Sequence, residues 1–167
     1  MVALQIQDIK TFMNKLLLLQ TFDNFLLIEG SITTYNIFRI DGRLHKDFFT
    51  EEELEQRLLS QREFSLWKEV KPFCLELIKG KKTPSAFRFV FLLSPKNMEN
   101  TIAAVGSSYN PSDVTGMYIN LKYQNQMLSL TPGIAYSIFS TDKTLESEWD
   151  KMVVKFLKQH EIAFDEI

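Results

Sequence analysis

An α+β fold is predicted by three features of this 167-residue sequence. Stretches of alternating apolar residues, such as TGMYINLKY at 115–123, recur between Gly, Pro and Asn turn signals. Runs with apolar residues at three- and four-residue spacing, such as IKTFMNKLL at 9–17, read as amphipathic helices between them. The order strand, helix, three strands is then read twice, at 1–49 and at 86–142. A helical insertion at 50–85 and a C-terminal helix and tail at 143–167 complete one expected domain over 1–167.

In the first unit, Val2, Leu4 and Ile6 alternate as a short strand, and Asp8 is the N-cap of a helix burying Ile9, Phe12, Met13, Leu16 and Leu17. Strands at 25–29 and 32–40 are read as split by a Gly30-Ser31 turn. Asp41-Gly42 is a second turn, after which 43–49 reads as a returning strand. Thr50 and Glu53 form a capping box ahead of Leu54, Leu58 and Leu59. Ser65 is the expected cap of a second helix, with apolar positions 66, 67, 70, 73, 74, 77 and 78 inward and a kink at Pro72.

The second unit opens with AFRFVFLL at 86–93, apolar on nearly both faces as in a central strand. Ser94-Pro95 starts a helix with Met98, Ile102 and Val105 inward, and 106–112 is a polar loop. Strands follow at 115–123, 127–130 and 134–139, separated by turns at Asn125 and Pro132-Gly133. The last helix, at 145–159, is expected to bury Leu145, Trp149, Met152, Val153, Phe156 and Leu157. A heptad echo accompanies the repeated order: YNIFRID at 35–41 and YSIFSTD at 136–142 share four residues. It fits a duplicated unit, and a single α+β sheet with an accidental echo is the alternative.

Composition excludes several classes of protein. Hydrophobic residues make up 45% and charged residues 24%, the balance of an ordinary globular domain. A net charge of −2 argues against wholesale coating of nucleic acid, while leaving room for a local basic surface. The single cysteine, Cys74, fits a reducing compartment and reads as a buried structural thiol on the inward stripe of its helix. Asp8 and Lys10 precede the apolar run at 16–19 with no small-residue cleavage site after it, so no signal peptide is read. No apolar stretch approaches the ~18 residues of a membrane span. A cytoplasmic protein with no membrane contact is the expectation.

The stretches DIKTFMNKLL, TFDNFLL, SITTYNIFRIDG, IKGKKTP and TLESEWDKMVVKFLKQH run through the chain. On these, the sequence over its whole length resembles an uncharacterised bacterial family, a domain of unknown function from anaerobic Firmicutes. That resemblance implies no activity. At the level of fold, two β-α-β-β-β units in one domain resemble a single DNA sliding-clamp domain, with 97–142 the most similar stretch. The clamp resemblance implies DNA held through its phosphates by basic helices. The central helices and the long C-terminal helix depart from it, and a ring would need several chains.

Candidate side chains follow. Lys10 and Lys15 occupy the polar face of the first helix, whereas Lys96, Asn97, Glu99 and Asn100 leave its counterpart nearly neutral. Lys68, Lys71, Lys79, Lys81 and Lys82 form a denser basic group, which a solvated helix face with cations near its C-terminal end also explains. Asp41, His45 and Asp47 form an alternative polar site in which His45 is a general base or a ligand. With two histidines in the chain, no multi-His metal centre fits one subunit, and a solvated polar strand face explains the same alternation. GKKT at 80–83 leaves a helix instead of entering one, so it is not a phosphate loop.

The sequence thus reads as a non-enzymatic binding or scaffold module with DNA or another protein as partner, open to self-association as a homo-oligomer. No cofactor and no metal are read. The alternative is a small-molecule enzyme centred on Asp41 and His45, for which a deep pocket would be the mark. A protein-binding adaptor would instead show Trp67 or Tyr118 in an exposed patch.

Overall fold

The computed structural model describes residues 1–106 and 108–167. Seven strands form one sheet: β1 (Leu4–Ile6), β2 (Leu26–Thr33), β3 (Ile37–Asp41), β4 (Ala86–Leu92), β5 (Val114–Gln124), β6 (Met127–Tyr136) and β7 (Phe164–Glu166). Their order is β3-β2-β4-β5-β6-β1-β7, and each neighbouring pair is antiparallel. The described α-helices are α1 (Ile9–Leu17), α2 (Glu51–Gln56), α3 (Trp67–Ile78), α4 (Pro95–Val105) and α5 (Thr144–Gln159). The class is α+β, as the sequence predicts.

The strand period of two places Phe87, Phe89 and Phe91 of β4, with Ile119 and Leu121 of β5, on one face of the sheet. Onto that face pack Phe12 and Leu16 of α1, Trp67 and Cys74 of α3, Ile102 of α4, and Trp149, Val153 and Leu157 of α5, in one buried cluster. Aromatic rings dominate its centre. Trp67 meets Phe89 and Phe91 edge-on at 5.0 and 5.1 Å, and Phe22 stacks on Phe91 at 5.8 Å.

Local signals set most helix starts. Asp8 accepts the Thr11 N–H at 3.1 Å, Thr50 accepts the Glu53 N–H at 3.2 Å, and Ser94 accepts the Asn97 N–H at 3.4 Å. The start of α3 is a correction. Ser65 sits in extended chain, its N–H bonded to the Gly42 carbonyl, and the helix begins at Trp67. Its first turn is closed by Glu69, which accepts the Leu66 N–H at 2.8 Å and pairs twice with Arg62, at 2.6 and 3.0 Å. The helix continues through Pro72 as one element, but Phe73 is 70% exposed instead of inward.

Three predicted strand boundaries are also corrected, so each unit is β-α-β-β. Gly30-Ser31 is no turn: β2 runs through it, and the hairpin tip is 34–36. Gly30 is there because a Cβ would lie 2.7 Å from the Phe89 ring. Pro132-Gly133 is likewise inside β6. Proline is tolerated because the short β1 pairs with β6 only around Ser129 and Leu130, leaving that side of β6 open at residue 132. Segment 43–49 is not a strand. Arg43 bridges to Phe64, and Lys46–Phe48 is a short 3-10 helix.

The two units also occupy different places in the sheet. β4 lies beside β5, whereas β1 is separated from β2 by β4, β5 and β6. The heptads diverge too: 35–41 forms a hairpin tip and β3, while Tyr136 ends β6 and 137–142 lies beyond it. Of the polar loop at 106–112, Ser107 lies outside the described residues. The tail adds an unpredicted strand, β7, whose sequence FDE holds a single apolar residue and so shows no alternation.

Candidate anion-binding face

All four longer helices pack on one side of the sheet. The other side is left to solvent over much of its area, as antiparallel sheets allow. The register lines up one cross-strand row there: Arg39, Ser31, Arg88, Lys122, Ser129, Gln5 and Asp165. Arg39, Arg88 and Lys122 are all exposed. At a strand spacing of about 4.8 Å, the three cations span roughly 14 Å across β3, β2, β4 and β5.

Arg88 and Lys122 are directly opposed, an arrangement that destabilises a sheet through like-charge repulsion. Nothing in the core requires either charge. Arg88 reaches Glu29 at 3.4 Å with both side chains more than half exposed, a weak pair. Among the described residues, Arg39 and Lys122 have no ion-pair partner. Lys122→Thr is accordingly expected to raise folding stability by about 0.5 kcal/mol, read from urea unfolding. A lower midpoint would show that the repulsion is already relieved.

Concave surface flanks the row. A groove of about 470 Å³ is bordered by Ser31, Arg39, Asp41, Arg43, Phe64 and Arg88. A smaller one of about 240 Å³ is bordered by Gln5, Lys122, Gln124, Asn125 and Ser129. At the first groove's rim, Arg43 stacks over the Phe64 ring at 5.1 Å and faces Glu63 at 3.8 Å.

The lysines singled out in the sequence lie elsewhere. Lys10 is exposed on α1. Lys15 reaches across to the end of α5, donating to the carbonyls of His160 and Glu161. Lys71 donates to the Leu19 carbonyl at 2.8 Å and pairs with Asp23 at 2.5 Å, both side chains about 15% exposed. Lys15 and Lys71 therefore satisfy carbonyls at helix C-terminal ends. Lys68 is exposed, and Lys79 pairs with Glu76 at 2.6 Å. Lys81 and Lys82 stand exposed on the loop between α3 and β4, bordering one cleft.

Asp41, His45 and Asp47 are not brought onto one face. Asp41 ends β3 and accepts the Arg43 N–H at 3.0 Å; His45 precedes the 3-10 helix, which contains Asp47. All three are exposed, and His45 does not border the groove beside Asp41. The shared face needed a strand at 43–49. Among the described residues, no group of three or more His, Cys, Asp or Glu is placed to hold a metal ion. Cys74 is buried, and burial pushes its thiol up to about 12. Trp67 is fully buried, so it forms no exposed patch.

Sequence reading missed Arg39, Arg88 and Lys122. Arg88 carried a signal, as the one charged residue within AFRFVFLL. What joins it to Arg39 and Lys122 is strand register, which alternation alone does not define.

A family model described as a family of unknown function matches residues 15–165. The chain belongs to the DUF5721 family. No curated protein and no solved structure matches it. The DUF5721 match includes all three cations of the row and leaves out β1. The family description carries no reaction, and the dispersed Asp41, His45 and Asp47 lend none. Among the described residues, no helix is long and apolar enough to cross a membrane.

Proposed function

We propose that this DUF5721 chain is a non-enzymatic binding module that lays single-stranded DNA across the open face of its sheet. The observation carrying the reading is the row Arg39–Ser31–Arg88–Lys122, with two like charges held opposite each other at a cost to the sheet. An extended polyanion relieves that repulsion, and Ser129, Gln5 and Asn120 offer neutral hydrogen-bonding groups nearby. Phosphate contacts alone give affinity without sequence preference. Neither a ring of subunits nor an internal twofold is needed for this mode.

Fluorescence anisotropy with a labelled oligothymidylate tests it. Three phosphate contacts predict a slope of roughly −2 in log affinity against log salt for a single strand. Arg39→Glu with Lys122→Glu is expected to weaken binding more than tenfold and flatten that slope. Lys10→Glu, on the helix side, should leave it unchanged. Absence of binding at low salt, or binding lost through Lys10→Glu while the sheet variant binds normally, would overturn the reading.

A further inference from the structure

A second cleft, on the helix side of the sheet, combines an aromatic wall with two cations. It encloses about 450 Å³ between the β2–β3 hairpin tip, the end of α3 and the loop before β4. That volume suits a small ligand. Its border includes Thr34, Tyr35, Phe38, Leu77, Lys81 and Lys82. Tyr35 is 89% exposed, and its ring stands edge-on to Phe38 with centroids 6.2 Å apart. A lone tyrosine so open to water gains little by burial, yet it offers a flat face for stacking.

The charges are poised as well. Glu76, also at the border, is engaged by Lys79 at 2.6 Å. Among the described residues, Lys81 and Lys82 have no ion-pair partner. The surrounding backbone is tied down: Thr34 N–H bonds the Asn36 carbonyl at 2.8 Å, and Ser85 N–H bonds the Thr33 carbonyl at 3.0 Å. A stacking ring and two ammonium groups without an ion-pair partner thus border one cleft.

We propose that this cleft binds a nucleoside phosphate. The base stacks on Tyr35 against Phe38, and the phosphates lie between Lys81 and Lys82. The site differs from a phosphate loop, because its cations sit on a loop leaving a helix and no helix N-terminus faces the ligand. It is also separate from the cationic row, whose side chains project from the other face of the sheet.

Isothermal titration of the full chain with ATP, adenosine and inorganic triphosphate tests the proposal. ATP is expected to bind saturably below about 1 mM, and adenosine or triphosphate at least tenfold more weakly, because each keeps one half of the recognition. Tyr35→Ala should weaken ATP about tenfold, within the range for one stacked base. Lys81→Glu with Lys82→Glu should weaken it by tenfold or more, and Arg39→Glu with Lys122→Glu should leave it unchanged. Triphosphate binding as tightly as ATP, with Tyr35→Ala silent, would reduce the cleft to a patch of charge and overturn the assignment. Loss of ATP binding in the Arg39/Lys122 variant alone would place the ligand on the open face and likewise overturn it. Tyr35, Lys81 and Lys82 are all exposed, so circular dichroism should show an intact fold in both variants.

Discussion

Trp67→Ala is expected to remove about 4 kcal/mol of folding stability, within the range for truncating a buried aromatic residue. Against a typical total of roughly 5–15 kcal/mol, that leaves a marginal protein. Trp67 is completely buried, fills the space between α3 and the sheet, and meets Phe89 and Phe91 edge-on. Its indole N–H also donates to the Leu16 carbonyl at 2.8 Å, in the last turn of α1. Four residues on, Lys71 serves the Leu19 carbonyl from the same face of α3. Trp67→Phe separates the two contributions: much of the packing stays, while the Leu16 carbonyl loses its donor, for an additional cost of about 1 kcal/mol. Urea unfolding followed by far-ultraviolet circular dichroism measures both variants. An alanine variant within 1 kcal/mol of the parent would mean that α3 is not pinned to the core through this ring.

Gly42→Ala is the second large effect, at about 3 kcal/mol, the upper end for overpacking. A Cβ at residue 42 would lie 1.7 Å from the Leu27 carbonyl oxygen and 2.6 Å from its carbon. These are backbone atoms of β2, so no side chain can swing away. The same residue ties three segments together: its N–H bonds the Ile28 carbonyl at 2.9 Å, and its carbonyl accepts the Ser65 N–H at 2.8 Å. The chain must pass under β2 here, and that passage sends residues 43 and 44 alongside 63 and 64 instead of back along β3. A drop in Tm of roughly 10 °C is expected for a chain of this size. Gly133→Ala is the control. Its Cβ would meet only the Asn120 amide at 3.9 Å, so a near-neutral result is expected. Equal effects at both positions would show that loss of glycine entropy, and not the close approach at 42, governs the outcome.

Both predictions turn on contacts between elements distant in sequence, and these were the least legible. Asp8, Thr50 and Ser94 could be placed at helix starts from sequence because a cap and its partner lie within three residues. The α3 start was misplaced because Leu66 is no capping residue; Glu69 and Arg62 substitute for one through contacts within the folded segment. Gly30 and Gly133 were read as turns, yet each lies inside a strand. A glycine needed for a close ring and a glycine needed for a turn look alike in one dimension.

The basic residues divide along the same line. Lys15 and Lys71 resemble surface charge in the sequence, but both donate to carbonyls at the ends of α5 and α1, and Lys71 also pairs with Asp23. Arg39, Arg88 and Lys122 looked unrelated, yet antiparallel pairing makes them neighbours across the open face.

By itself, the sequence determined the α+β class, the identity of the long helices and central strands, and the buried thiol. Those follow from periodicity and burial, which act over a few residues. Only the tertiary structure decided strand order, the passage at Gly42, and which cations meet. Each depends on register and on which donor reaches which carbonyl across the core, and such pairings are selected by packing the whole chain at once.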